Sequence, residues 1–168
     1  MGLVVVVMGV SGSGKTTVGR RLVGRLGVPY AEADEFHPPA NIEKMSAGRP
    51  LTDEDRWPWL RAIADWITSQ AGRRGGVVSC SALKRSYRDL LRSAADLVWF
   101  LHLDGSRALI TDRITGRSGH FMPAALLDSQ FADLEPLDED EPGLVVDVDA
   151  APADIVETAV RALGQLSG

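Results

Sequence analysis

Residues 9–16 read Gly9-Val10-Ser11-Gly12-Ser13-Gly14-Lys15-Thr16 and satisfy the pattern Gly-x-x-x-x-Gly-Lys-Ser/Thr. A continuous run of mostly β-branched residues, Leu3 to Met8, stands before them, as is typical of a strand buried on both faces. A helical pattern from Thr16 to Leu26 follows them. Glycines at this spacing let backbone N–H groups point into the loop, and the helix N-terminus adds partial positive charge. The sequence therefore predicts a phosphate-binding loop after a buried strand.

This motif also predicts what its residues contact. Lys15 is expected to reach the β- and γ-phosphates of a nucleotide, and the Thr16 hydroxyl is expected to ligate Mg²⁺. The alternative is a glycine-rich turn without a ligand, which the flanking strand and helix disfavour. The sequence contains no Asn-Lys-x-Asp element for guanine, which argues against a GTPase. The expected nucleotide-binding residues of the loop are Gly9, Val10, Ser11, Gly12, Ser13, Gly14, Lys15, Thr16 and Thr17.

Beyond the loop, predicted strands and helices alternate to the end of the chain. Asp53 is the expected N-cap of a long helix, and the proline-rich stretch from Glu32 to Thr52 is an expected functional loop with at most a short helix. The alternation predicts an α/β fold, a three-layer sandwich with a five-stranded parallel sheet flanked by helices. Further strands are expected near Tyr30 and over residues 77–80, 97–103 and 144–148, and further helices over residues 53–70, 84–93, 106–116, 123–134 and 153–166.

Length and composition set outer limits on the function. The 168 residues suit one domain, and the net charge of -5 argues against a nucleic-acid or anionic-membrane partner. Cys80 is the only cysteine, so an intramolecular disulfide is excluded and a reducing, cytoplasmic compartment is expected. No apolar run approaches the length of a membrane span.

Three further blocks of residues follow the phosphate-binding loop. The first begins with His37-Pro38-Pro39-Ala40-Asn41-Ile42-Glu43-Lys44-Met45 and continues through Gly48, Pro50-Leu51, Asp53, Asp55-Arg56 and Pro58-Trp59-Leu60. The second comprises Cys80-Ser81-Ala82-Leu83-Lys84, Tyr87-Arg88-Asp89 and Leu91-Arg92. The third comprises Arg113, Arg117, His120-Phe121, Ser129-Gln130-Phe131 and Leu134-Glu135-Pro136. With the loop, these blocks resemble the gluconokinase family of small P-loop kinases over nearly the whole chain.

The resemblance implies a function and a more specific fold. The implied reaction is phosphorylation of D-gluconate at its 6-hydroxyl by ATP with Mg²⁺, which gives 6-phosphogluconate and ADP. The implied fold is the adenylate-kinase-like form of the P-loop NTPase sandwich, with a small mobile lid at about residues 113–122, in a chain that forms a homodimer in many relatives. One departure is Glu32-Ala33-Asp34, where the family commonly has an acidic residue, Gly and Asp.

A sugar-acid kinase needs a group that orients the attacking hydroxyl and a cation that holds the substrate carboxylate. Asp34 follows the second predicted strand and is the candidate that accepts the hydroxyl proton or positions Mg²⁺ through water; the alternative is that it caps a turn. Arg56, Lys84 and Arg88 are the candidates for the carboxylate, with solvated surface charge as the alternative.

Two arginines are expected on the lid. Arg113 and Arg117 are four residues apart and share a helix face that could bring cations to the β- and γ-phosphates. His37 and His120 are expected either to contact substrate or to hydrogen-bond loop backbone, with neither option favoured. His102 lies in an apolar strand and is expected to be a hydrogen-bonded core residue.

Two other functions stay open at this point. One is a kinase for another small hydroxylated acid such as shikimate, and the other is a P-loop protein that binds ATP without transferring phosphate. The first matched block favours gluconate, and Asp34 with the lid arginines favours catalysis.

Overall fold

The computed structural model describes residues 2–116 and 124–166, and over these ranges strands and helices alternate as expected. The strands are β1 (Val4–Met8), β2 (Tyr30–Glu32), β3 (Gly76–Ser79), β4 (Val98–Asp104) and β5 (Gly143–Asp147). The helices are α1 (Lys15–Leu26), α2 (Pro39–Ser46), α3 (Asp53–Ala71), α4 (Arg85–Arg92), α5 (Arg107–Gly116), α6 (Ala124–Asp133) and α7 (Pro152–Leu166), and a short 3₁₀ helix covers Ala33–Phe36.

The five strands form one parallel sheet in the order β2-β3-β1-β4-β5. β1 is central, and every residue of Val4–Met8 is fully buried, which explains why this segment lacks polar alternation. Because all strands point the same way, the loops that follow β1, β2 and β3 meet at one edge of the sheet. The predicted α/β sandwich with a five-stranded parallel sheet is confirmed.

The helices cover both faces of the sheet and create two hydrophobic cores. On one face, Val5 and Val7 pack with residues of α1 and α7, such as Leu22 and Ala159. On the other face, Val6 and Met8 pack with residues of α3 and α4. Alternate side chains of β1 therefore enter opposite cores, and the phosphate-binding loop begins from a strand that is fixed on both sides. None of the helices in the described ranges is long and apolar enough to cross a membrane.

The start of α3 differs from the expectation. Its N-cap is Thr52 and not Asp53, because the Thr52 hydroxyl accepts the Asp55 N–H at 3.2 Å while the Asp55 carboxylate accepts the Thr52 N–H at 2.9 Å. This reciprocal capping box satisfies two helix-end donors. Asp53 is instead hydrogen-bonded by Lys84 and Tyr87 from the neighbouring α4 region. A tertiary contact thus removes Asp53 from the capping role that its sequence position suggested.

Candidate active site

The phosphate-binding loop has the backbone conformation that its glycines permit. Gly12 and Gly14 have φ values of 83° and 94°, a region that residues with a Cβ rarely adopt. Gly14 is the N-cap of α1, and no side chain caps this helix. The positive end of the α1 dipole therefore faces the loop, and the helix has no acidic residue in its own first turn, which favours anion binding.

Lys15 lies folded over the same loop. Its ammonium donates hydrogen bonds to the carbonyl oxygens of Gly9, at 3.0 Å, and Val10, at 2.9 Å. Burial lowers the pKa of Lys15, and the nearby Asp34 carboxylate opposes that effect. The ammonium is thus placed at the mouth of the loop, within the field of Asp34.

Several oxygen atoms around the loop fit a nucleotide and Mg²⁺. The buried Ser13 hydroxyl has no hydrogen-bond partner in the described part of the chain, which is costly without a ligand. The exposed Thr16 hydroxyl donates to Glu32 at 2.6 Å, and Mg²⁺ prefers such hard oxygen ligands. Beside the loop, Thr17 and Arg113 line a cleft with Val18, Asp112, Val148, Ala150, Pro152 and Ile155. The structure thus places Thr16 on the loop, and Thr17 and Arg113 in the adjoining cleft.

The unusual Glu32-Ala33-Asp34 triplet is accommodated without strain. Among the described residues, only one non-glycine residue, Ala82, has a positive φ. Ala33 therefore has an ordinary negative φ, and its backbone conformation does not require glycine. Ala33 is buried, and its carbonyl accepts the Trp59 indole N–H at 2.7 Å. Asp34 is exposed at the next position. The backbone of Ala33 is therefore held in place, and the residue that follows it presents an exposed carboxylate.

A second cavity opens next to the phosphate-binding loop. His37 and Trp59 stack in its wall with ring centroids 4.3 Å apart and planes inclined by 10°. Asn41 contacts His37 Nδ1 through its amide nitrogen at 3.2 Å, so in the neutral ring the proton is on Nε2. Burial lowers the pKa of His37, which favours this neutral form. The cavity is lined by His37, Met45, Pro50, Leu51, Arg56, Trp59, Ser81, Leu83, Leu126, Ser129 and Gln130.

The three predicted carboxylate-binding cations occupy different places. Arg56 lines the cavity, and its guanidinium donates to the Tyr87 hydroxyl at 2.8 Å and to Asp133 at 3.1 Å. Lys84 pairs with Asp53 at 3.0 Å and is not among the residues that line the cavity. The geometry therefore favours Arg56 over Lys84 as the residue that meets a substrate carboxylate.

The interpretation of Arg88 as a substrate-binding residue is wrong for this structure. Its side chain is fully buried and forms two hydrogen bonds with Glu141, at 2.7 and 3.0 Å. Its remaining N–H groups donate to the carbonyl oxygens of Ala82, Leu83 and Pro136. All five guanidinium donors are occupied within the protein, so none is left for a ligand.

Three further residues singled out from the sequence are Arg117, His120 and His102. Arg117 and His120, and with them most of the expected lid, lie outside the described residues. His102 is buried in β4 as expected, but its Nδ1 has no hydrogen-bond partner in the described part of the chain.

The sequence interpretation missed the role of Gln130. Its side-chain oxygen accepts the backbone N–H of Ser11 at 2.7 Å, while the same residue lines the second cavity. Ser81 and Ser129 also line the cavity. They belong to the second and third matched blocks, but the sequence interpretation assigned them no function. For Ser81 a signal was present, because it comes two residues after the end of β3 and so had to lie at the sheet edge that carries the phosphate-binding loop.

A phosphate-binding loop that shares a wall with a second, partly polar cavity is the arrangement of a P-loop kinase. Residues 4–137 match the family model described as an AAA domain. The chain is 51% identical over 157 residues to a gluconokinase of Gluconobacter oxydans, a match that covers 93% of this chain and 88% of that protein. The chain belongs to the gluconokinase family.

Solved structures agree with this assignment. A gluconokinase from Sinorhizobium meliloti superposes with a TM-score of 0.90 at 48% identity and covers 98% of this chain, which in turn covers 93% of that chain. A sugar kinase from a Janibacter species superposes with a TM-score of 0.93 at 51% identity, with coverages of 98% and 95%.

Proposed function

We propose that the protein transfers the γ-phosphoryl group of ATP to the 6-hydroxyl of D-gluconate and releases 6-phosphogluconate and ADP. The observation that carries this proposal is the common wall of the two sites. Gln130 accepts the Ser11 N–H of the phosphate-binding loop and also lines the second cavity. An acceptor in that cavity therefore lies beside the nucleotide phosphates, and family membership supports gluconate as that acceptor.

On the nucleotide side, the loop from Gly9 to Thr17 holds the phosphates through backbone N–H groups and the N-terminus of α1. Lys15 brings the positive charge that stabilises the developing charge between the β- and γ-phosphates. Thr16, with Glu32 within hydrogen-bond distance, is the proposed holder of Mg²⁺, which when bound neutralises phosphate charge. Arg113 lines the adjoining cleft and contacts the Val148 carbonyl.

On the acceptor side, Arg56 binds the gluconate carboxylate, because among the described residues it is the arginine that lines the cavity. The neutral His37 ring presents an Nε2–H donor, and the hydroxyls of Ser81 and Ser129 provide further partners for the sugar-acid hydroxyl groups. The apolar wall formed by Leu83 and Leu126 packs against the carbon chain.

Asp34 orients the attacking hydroxyl. Its carboxylate acts electrostatically on both Lys15, in the phosphate-binding loop, and His37, in the cavity wall. It therefore lies near both the phosphate-binding loop and the wall of the acceptor cavity. As the 6-oxygen forms its bond to the γ-phosphorus and the bond to the ADP oxygen breaks, the hydroxyl proton passes to Asp34.

A coupled assay of ADP release tests this function. The acceptors are gluconate, other aldonates, shikimate and nucleosides, with a control that lacks an acceptor. We expect rapid ADP release with gluconate and little with the others. Preference for shikimate, or ATP binding without acceptor-dependent turnover, would refute the proposal in favour of one of the two alternative functions.

Three further parts of the proposal concern the domain organisation, the cellular location and the oligomeric state. We propose one kinase domain over residues 1–168, with a lid insertion at about 113–122. We also propose that the protein works in the cytoplasm and forms a homodimer. Sedimentation of the purified protein tests the homodimer.

A further inference from the structure

A fully buried ion pair lies behind the acceptor cavity. Arg88 on α4 and Glu141, just before β5, both have side chains with 0% exposure and form two parallel hydrogen bonds. The Glu141 carboxylate also accepts the Asp138 N–H at 3.0 Å. An ion pair in this environment is favourable only when its geometry is good and its polar atoms are satisfied, and this pair meets both conditions.

The remaining donors of Arg88 hold the loop that follows β3. One terminal nitrogen donates to the Ala82 carbonyl at 3.0 Å and to the Leu83 carbonyl at 3.1 Å. Ala82 has a φ of 44° and is fully buried. Residues with a Cβ adopt this conformation only when their surroundings impose it. Arg88, fixed by Glu141, supplies that constraint.

The same loop connects the two substrate sites. Ser81 and Leu83 line the acceptor cavity, and the Ser81 carbonyl accepts the N–H of Gly9, the first residue of the phosphate-binding loop, at 3.3 Å. A displacement of Ala82 would therefore move the acceptor wall directly.

We propose that Arg88 and Glu141 are positioning residues that hold Ala82 in its left-handed conformation and thereby fix Ser81 and Leu83 against the acceptor. They touch no substrate. The kinetic part of this inference rests on the proposed function, whereas the structural part does not.

The test compares Glu141→Gln and Arg88→Lys with the wild-type protein. Glutamine keeps the size of glutamate but loses its charge, and lysine keeps the charge but cannot form five directed hydrogen bonds. We expect kcat/KM for gluconate to fall about 10- to 10²-fold, chiefly through KM, because small misplacements of binding groups are costly. KM for ATP should change much less, because only the contact between the Ser81 carbonyl and the Gly9 N–H reaches the phosphate-binding loop. Hydrogen exchange at the amides of residues 81–84 should become faster.

Two control variants separate positioning from stability. Glu157→Gln makes the same chemical change in the exposed pair with Arg25, and Leu163→Ala lowers stability on α7, a helix that holds none of the hydrogen-bond partners of Arg88. Neither should change KM for gluconate or exchange at residues 81–84 when assayed well below its Tm.

Two results would overturn the positioning role of Arg88 and Glu141, and a third would refute only the proposed function. A folded Glu141→Gln protein with unchanged gluconate KM and unchanged exchange at residues 81–84 overturns it. Failure of both pair variants to fold also overturns it, because the pair would then determine folding and not loop position. A wild-type protein that is inactive on gluconate refutes the proposed function alone, since the exchange measurement does not depend on the acceptor.

Discussion

Replacing Asp34 by asparagine removes the charge and basicity of the carboxylate but keeps its shape. The carboxylate is exposed and accepts no hydrogen bond from the described part of the chain. An exposed carboxylate that accepts no hydrogen bond from the described residues contributes little to folding, so the free energy of unfolding should change by less than about 0.5 kcal/mol. Were Asp34 a turn or helix cap, the loss would be about 1 kcal/mol.

The effect on turnover should be much larger. Loss of a positioned acid–base group lowers kcat by about 10²- to 10⁴-fold, which corresponds to about 3–5 kcal/mol of transition-state stabilisation. A loose phosphoryl-transfer transition state, which needs little deprotonation, places the expected loss toward the lower end of this range. ATP affinity should barely change, because the phosphate-binding loop keeps its contacts.

The assay measures Tm, ATP affinity and gluconate-dependent kcat on one preparation. Glu35→Gln is the matched control, because Glu35 is also exposed, lies in the same 3₁₀ helix and undergoes the same chemical change. We expect Glu35→Gln to retain wild-type turnover. An Asp34→Asn protein that loses stability but turns over normally would refute the catalytic role, and equal losses in both variants would show that only the net charge of the segment matters.

Three further predictions concern other parts of the site. Lys15→Ala should abolish nearly all phosphoryl transfer while the protein still folds, because the ammonium acts mainly in the transition state; steady-state kinetics and circular dichroism measure both. Trp59→Phe should lower the free energy of unfolding by about 1–3 kcal/mol in urea denaturation, because it leaves the buried Ala33 carbonyl without its donor. Hydrogen bonds from Lys44 and from the Thr52 backbone lower the pKa of Asp55 to about 2, so its stabilising effect is present above the unfolded pKa of about 4 and is lost as pH falls through about 2. Thermal unfolding at neutral and acidic pH should therefore show a Tm difference between wild type and Asp55→Asn that shrinks on acidification.

Short-range patterns allowed most of the fold to be predicted. The buried strand, the phosphate-binding loop and the start of α1 follow one another within about twenty residues, and each has a local signal. The order of the strands in the sheet had no such local signal. β3 lies between β1 and β2, so it pairs with two strands that are far from it in sequence. The Thr52 cap was missed for a similar reason, since two good capping residues stand side by side and the α4 region decides between them.

The candidate site was predictable where function needs a local motif and unpredictable where it depends on a distant partner. Lys15 and Thr16 belong to such a motif. Arg88 looked like a ligand-binding cation because its partner, Glu141, is 53 residues away in a segment whose acidic composition suggested solvent exposure. Nothing in the sequence around Arg56 distinguishes it from Arg88, and only the packed structure shows which of the two faces a cavity.

The position of Gln130 has a thermodynamic consequence. Because one side chain contacts the nucleotide loop and also lines the acceptor cavity, any shift of that side chain on binding at one site changes the free energy of binding at the other. Such coupling is reciprocal: the factor by which gluconate alters the dissociation constant of the nucleotide equals the factor by which the nucleotide alters that of gluconate. The final ternary complex therefore has the same free energy whichever substrate binds first.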